Sequence, residues 1–282
     1  MRRTIQSRPV LVAIALLFSG LFLTGGPVYA SGTSHKSEKD QERLLGRVKT
    51  VLIEFSKVSD QGGKWVEGPR TPWLSTTYDR QGNRIQEDQL YQDVELNFKS
   101  VFTYDPPGQI KEGVEYDYQG KPTFKWSYTH DPGNKVIEES RYEPNGVLFS
   151  KSSYHYDADG NLVEEERVHS HSANDLKWVY LYDEAGRKVE ESFYVVRAQG
   201  LLNTAESTLD SKQVYSYDAK GTLLEETRYD AAGTVKSKKS YRYEYDAAGN
   251  WIKQIAREWV NHADKTYFEP TEVTYRTITY YP

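Results

Sequence analysis

From about residue 47 onward, large apolar side chains recur at every second position. Tyr154-His155-Tyr156, Tyr180-Leu181-Tyr182, Tyr215-Ser216-Tyr217 and Tyr241-Arg242-Tyr243-Glu244-Tyr245 show the pattern most clearly. A period of two belongs to a pleated strand, whose successive side chains point to opposite faces, and aromatics favour that conformation. Each run leads through turn residues into a second run, such as Asn161-Leu162-Val163-Glu164-Glu165 or Thr222-Leu223-Leu224-Glu225-Glu226. No window sustains apolar residues at i, i+3, i+4, i+7, so helices are expected to be few or absent after the N-terminal leader. Arg47 to Val58, with Val51, Ile53 and Phe55 alternating, reads as the first strand.

One phrase separates the runs: an aromatic, an acid, two variable residues and a glycine. Acid and glycine fall at Asp79/Gly82, Asp105/Gly108, Asp117/Gly120, Glu143/Gly146, Asp157/Gly160, Asp183/Gly186, Asp218/Gly221, Asp230/Gly233 and Asp246/Gly249. In a type I turn the first-position carboxylate accepts a backbone amide two residues on, and a fourth-position Gly takes positive φ without a Cβ clash. Positive φ is therefore expected at Gly160 and Gly249. Asp131-Pro132-Gly133-Asn134 reads as a shorter copy suited to a type II turn, with Asp131 and Gly133 as its turn residues. Glycines 108, 120, 133, 146 and 160 are 12 to 14 residues apart, the spacing of single strands. The wider gaps after Gly160 and Gly186 predict a turn near Ser172 to Asp175 and a loop from about Ala198 to Ser211.

These features predict an all-β fold: an antiparallel meander of roughly 18–22 short strands in one continuous sheet, curved or coiled by strand twist and glycine bulges. A flat single layer is the alternative. Before the meander, Arg2, Arg3 and Arg8 precede the apolar run Val10 to Leu23 and the small-residue ending at Ala30. That order reads as a signal peptide over residues 1–30, cleaved between Ala30 and Ser31. The run is shorter than the ~20 apolar residues of a spanning helix. Residues 31–46 read as a flexible polar lead-in, and 47–282 as a single β domain with a terminal capping hairpin about 250–282. The mature chain would lie in the periplasm or outside the cell, with no membrane span.

There is no Cys, so neither a disulfide framework nor a lipoprotein acceptor is available. Removing the three leader arginines takes the formal charge from −5 to −8. A mildly acidic chain with scattered basic residues lacks the footprint of nucleic-acid binding.

The Tyr-Asp-x-x-Gly-Asn phrase, clearest at Tyr156 to Asn161 and Tyr245 to Asn250, resembles the YD repeats of the rearrangement-hotspot (Rhs) family. The resemblance covers roughly Tyr78 to Asn250 and suggests a small stand-alone secreted member. In large members such repeats coil into a β-sheet shell that can enclose a cargo. Asp105-Pro106-Pro107-Gly108 matches the Asp-Pro-x-Gly phrase near the self-cleavage site of such toxins, but it stands in register with the other turns and reads as one of them.

Candidate chemistry is sparse. His169-Ser170-His171 would place two imidazoles on one strand face near Glu164 and Glu166, a weak candidate metal pair; exposed histidines beside an irregular turn are the favoured reading. Asp157-Ala158-Asp159-Gly160 lacks the further spaced ligands of a calcium loop. In Glu138-Glu139, Glu164-Glu165, Glu190-Glu191 and Glu225-Glu226 the neighbours point to opposite faces, so none is a catalytic dyad. One Glu of each pair could stack into an acidic ladder; cross-strand pairing with Arg141, Arg167, Arg228 and Lys177 is the favoured reading. The 23 Tyr and 6 Trp suit sugar stacking, yet with one Met they must also supply the core. The expectation is a non-catalytic exported protein without cofactors, offering a surface to protein or glycan partners. Alternatives are a glycan-acting hydrolase and a helper or remnant of a larger toxin system.

Overall fold

Residues 37–90, 96–106, 108–199, 204–262 and 265–282 are described by a computed structural model. The expected signal peptide and the Ala30–Ser31 cleavage site lie outside the described residues. One helical turn, α1 (Glu38–Gln41), precedes β1 (Val48–Asp60), β2 (Trp65–Glu67), β3 (Thr71–Tyr78), β4 (Arg84–Leu90), β5 (Leu96–Asp105) and β6 (Gln109–Asp117). Then follow β7 (Pro122–His130), β8 (Val136–Tyr142), β9 (Leu148–Tyr156), β10 (Leu162–His169), β11 (Asn174–Tyr182) and β12 (Lys188–Gln199). The chain ends with β13 (Thr204–Tyr217), β14 (Leu223–Asp230), β15 (Val235–Tyr245), β16 (Trp251–His262) and β17 (Lys265–Tyr280).

From β3 to β17 each strand pairs antiparallel with the next, as a meander requires. The sheet does not stay open. β1 pairs with β3 on one side and with β17 on the other, from Val48↔Tyr280 to Lys57↔Glu272. Short β2 pairs with the tip of β1, so sixteen strands form a closed wall. The expected curved or coiled sheet is thus a barrel. Twist is increased by an irregularity in nearly every hairpin, for example between Leu162 and Glu164, and a sheet so curled ends when its outermost strands satisfy each other. β16 and β17, expected as a cap, are part of this wall. Most of the expected loop from Ala198 to Ser211 is also wall, because β12 runs to Gln199 and β13 starts at Thr204.

The turns follow the predicted chemistry. At Asp157 the amide donates to the Asn161 carbonyl at 3.0 Å, Gly160 N–H returns to the Asp157 carbonyl at 3.0 Å, and Asp157 Oδ1 accepts the Asn161 amide at 2.8 Å. Burial pushes the Asp157 carboxyl up, but bonds from Asn161, Asp159 and Gly160 outweigh it and hold it below the usual carboxylate range. Gly160 and Gly249 have φ of 86° and 90°, as expected. Asp131 to Asn134 departs from the expected type II turn. Gly133 keeps an ordinary φ while Asn134 adopts 73°, so Asn134 occupies the closing position that Gly holds in the full copies.

Antiparallel order sends successive turns to opposite ends of the barrel. Asp79, Asp105, Asp131, Asp157 and Asp183 share one end, at intervals of 26 residues, and Asp218 and Asp246 continue that rim. The structural repeat is therefore a two-strand hairpin. On this rim the tyrosine of the phrase reaches back: Tyr104 donates to the Arg84 carbonyl (2.8 Å), Tyr156 to Val136 (2.6 Å), Tyr182 to Leu162 (2.8 Å) and Tyr217 to Lys188 (2.7 Å). Each bond ties a hairpin to the strand that follows the preceding turn.

The segment from Ser37, expected as flexible lead-in, folds against the same rim. Ser37 caps α1, Lys39 N–H donates to the Gly82 carbonyl at 3.0 Å, and Leu44 packs with Val48, Val51, Ile53 and fully buried Tyr78. Asn250 receives the end of the segment, accepting the Leu45 amide at 2.7 Å and donating to the Leu45 carbonyl at 2.9 Å. Its counterparts Asn83 and Asn161 instead bond their own turn aspartates, at 2.8 and 2.9 Å.

Candidate functional site

Strand alternation sorts each glutamate pair between the two faces of the wall. The first members face outward and pair across strands: Glu138 with Lys151 (2.5 Å), Glu164 with Lys177 (2.6 Å), Glu190 with Lys212 (3.3 Å) and Glu225 with Lys238 (2.9 Å). Glu112 and Lys125 continue the series at 2.6 Å. The second members, Glu139, Glu165, Glu191 and Glu226, face the enclosed side. Cross-strand pairing thus holds on the outer face, where Lys177 is one of the expected partners, whereas Arg141 and Arg167 lie with the second members on the enclosed side.

The inner glutamates form a girdle with tyrosines and cations. Tyr180 reaches Glu165 at 3.5 Å and Tyr215 reaches Glu191 at 3.4 Å, while Lys188 donates to Glu191 at 2.6 Å. Arg167 donates to Glu165 at 2.8 Å and to Ser152 Oγ at 3.0 Å. Arg141 lies 3.5 Å from Glu115, two strands away, and its guanidinium covers the Phe124 ring at 3.7 Å. Removal from bulk water raises the Glu139 and Glu165 carboxyls above their ordinary range, with Arg167 opposing the shift in both. It also raises the Tyr154 and Tyr180 phenols, and lifts Tyr217 to about 12.

One member of the girdle is absent. Glu87, Gly113, Glu139, Glu165 and Glu191 are spaced by 26 residues, and Gly113 holds the empty place. The Phe102 and Trp126 rings close over it at 6.2 Å between centroids; a Cβ there would lie 2.9 Å from Trp126 Cε3 and 3.0 Å from Phe102 Cδ1.

At the capped rim Tyr78 donates to Glu42 at 2.7 Å, with the guanidiniums of Arg84 and Arg276 in the same environment. Burial raises the Glu42 carboxyl and lowers Arg276 to about 10. Glu42 lies in the segment read as polar lead-in; the signal that could have found it is the Ser37-x-x-Asp40 capping pattern.

The histidine pair, the weak metal candidate, is split by the end of a strand. β10 ends at His169, which meets the Phe149 ring edge-on, whereas His171 lies beyond the strand and stands 3.7 Å from Glu143. Glu164 and Glu166 are both held by Lys177. No group of three or more potential metal ligands occurs among the described residues.

Four of the glycines picked out by the turn phrase are not brought into the girdle. Gly120, Gly146 and Gly233 close exposed hairpins at the end of the barrel opposite α1, and no atom lies within 4 Å of the place a Cβ would take. Gly221 closes its hairpin on the capped rim, where a Cβ would make only ordinary contact with Arg187 Cδ, at 3.8 Å. All four have positive φ, between 78° and 83°, so their role is confined to the turn itself. They differ in this from Gly82 and Gly249, where the N-terminal segment packs so closely that a Cβ would lie 2.6 Å from Ser37 Oγ and 3.1 Å from Leu45 Cδ1 respectively.

An up-and-down antiparallel barrel, charged outside and ringed within by Tyr, Glu and Arg, is the class these observations define. A family model described as "Uncharacterised protein" matches residues 34–200, and the chain belongs to that family. Among solved structures, a porin-like protein from Bacteroides uniformis is similar with a TM-score of 0.52 at 10% identity, covering 83% of this chain and 98% of the other. A porin-like protein from Bacteroides vulgatus (TM-score 0.38, 14% identity, 81% and 98% covered) and a protein of unknown function from Bacteroides fragilis (0.31, 13%, 42% and 91%) superpose too poorly to add to the argument. No curated protein matches the chain.

The resemblance to the YD-repeat family is overturned by these findings. The matching family model is a different one, and the similar fold is a barrel rather than a repeat shell. The shared phrase reflects hairpin chemistry. An acid that caps a tight turn and a residue of positive φ that closes it suit any array of antiparallel hairpins.

Proposed function

We propose that this is an exported, non-catalytic structural barrel that works in water rather than as a membrane pore. The outer ladder of glutamate–lysine pairs carries the proposal. A membrane barrel presents an apolar band about 25 Å tall to lipid, and an outward Lys at the bilayer midplane costs roughly 2–4 kcal/mol. In water the same pairs are an ordinary solvated face. Export rests on the leader, with Arg2, Arg3 and Arg8 before an apolar run and Ala30 at its small-residue end. The luminal carboxylates support a structural role, since Glu165 and Glu191 are each engaged by a cation and a phenol. Four of the tyrosines that suggested a glycan surface, Tyr104, Tyr156, Tyr182 and Tyr217, are occupied in lacing the wall.

Residues 31–282 should purify without detergent, remain at the bottom of a liposome flotation gradient and give no conductance in a planar bilayer. Detergent-dependent extraction together with stepwise conductance would overturn the proposal.

A further inference from the structure

The outer face is not uniform. Across β13–β17 two neighbouring depressions of about 290 and 400 Å³ share Arg242 and Arg257. Arg242 pairs with Ile255 and Ser240 with Arg257, so the arginines are diagonal neighbours on adjacent strands and share a face. On the same face Lys125, Lys151, Lys177, Lys212 and Lys238 are each matched by a glutamate. Among the described residues neither of these arginines has a carboxylate partner. Arg257 gives one donor to the Phe268 carbonyl at 2.7 Å, which orients its guanidinium and leaves its other donors free. Val58, Ile255, Val273 and exposed Trp65 supply an apolar floor and wall beside them. Two acids line the depressions: Glu67 is held by Lys253 at 3.2 Å and by the Tyr275 hydroxyl, and Glu225 by Lys238 at 2.9 Å.

We infer that this groove binds a small apolar carboxylate, its anion shared by Arg242 and Arg257 and its hydrocarbon laid along Val58, Ile255 and Val273. Two planar donor forks suit one carboxylate, and the apolar wall gains by covering a chain that water excludes. Charge acts locally here: in a chain of net negative charge, an unmatched arginine pair draws a single anion rather than a polyanion. This inference rests on the reading of the outer face as wetted, so flotation on liposomes is scored separately from ligand binding.

The test titrates residues 31–282 with dodecanoate below its micellar concentration, by calorimetry, and in parallel with dodecyltrimethylammonium. Saturable binding of dodecanoate alone is expected, with backbone NMR shifts centred on Ile255 and Val273. Arg242→Gln/Arg257→Gln should weaken it about tenfold or more. Should the double variant melt early, Arg242→Gln alone, at an exposed position, should still weaken binding several-fold. The inference fails if dodecanoate does not bind, if both amphiphiles bind equally, if the shifts map elsewhere, or if a folded variant keeps full affinity.

Discussion

Tyr182 stands twenty residues beyond Leu162, and its hydroxyl donates to the Leu162 carbonyl at 2.8 Å. The two belong to successive hairpins, so the bond crosses from one repeat to the next and holds the rim in register. Removing the hydroxyl leaves a half-buried carbonyl without its partner, which costs about 0.5–1.5 kcal/mol. Tyr182→Phe should lower the melting temperature measurably, whereas Tyr118→Phe, 70% exposed, should not. Equal melting of the two would remove the rim bonds from any account of stability.

Gly249 has φ of 90°, and a Cβ there would press on Leu45 of the N-terminal segment. Gly249→Val therefore combines that pressure with backbone strain of roughly 1–2 kcal/mol. It should depress the melting temperature well below that of Ala248→Val, which changes the neighbouring, exposed turn position. Gly233→Val, with the strain but no neighbour to press on, should fall between the two. Hydrogen exchange should rise at Leu44 and Leu45 in the Gly249 variant alone.

Gly113→Ala tests the gap in the girdle. The methyl would press on two rings at 2.9 and 3.0 Å, and overpacking of this kind costs about 1–3 kcal/mol. Pairing it with Trp126→Leu should recover part of the loss. A double variant no better than the sum of the singles would show that the clash is relieved elsewhere.

The luminal acids give stability a pH dependence of definite sign. Glu139 and Glu165 have folded-state values above their unfolded ones, chiefly through burial, so the folded protein holds more protons between the two values. Their contribution is full below the unfolded value and is lost as pH rises through the folded one. Glu139→Gln resembles the protonated form, and chemical denaturation should show it gaining on the wild type between pH 4 and pH 8. The lowered turn acids Asp157, Asp183 and Asp246 act oppositely: their contribution is lost as pH falls through their folded values. Asp157→Ala should therefore cost most near neutrality and least in acid.

Glu139 and Glu165 also test the non-catalytic proposal. If any glycan-hydrolysing activity of the purified protein disappeared in a folded Glu139→Gln or Glu165→Gln variant, the girdle would be a reaction centre and the structural reading would fall. The expected outcome is no turnover in either wild type or variants across a panel of polysaccharides.

Much of the hairpin chemistry was readable, because an Asp cap and a closing glycine act within five residues and answer to local sterics. Closure was not. It depends on Val48 meeting Tyr280, and no local pattern near either residue signals a partner so distant. The 26-residue repeat was hidden because both rims use the same turn phrase: Gly120 and Gly146 at one end read like Gly108 and Gly160 at the other, so the spacing suggested single strands. Alternation separated Glu164 from Glu165, but which of the two is enclosed follows only from the direction of curvature. Thr204 to Ser211 reads as loop because it falls in the wide gap between turn glycines, yet in a long strand partner bonds along β12 suffice to hold it extended. Asn134 is hidden as the closing residue because Gly133 beside it carries the stronger turn signal.

The pairing of β1 with β17 also sets an order of events in time. A chain that emerges N-terminus first can build hairpin upon hairpin, each from contacts a few residues apart. β1 nevertheless keeps one flank unpaired until Lys265–Tyr280 arrives, and only then does that register form. Its slowest step should be this long-range seam, whose closure spans nearly the whole chain. Whatever is synthesised in between, the first strand waits for the last.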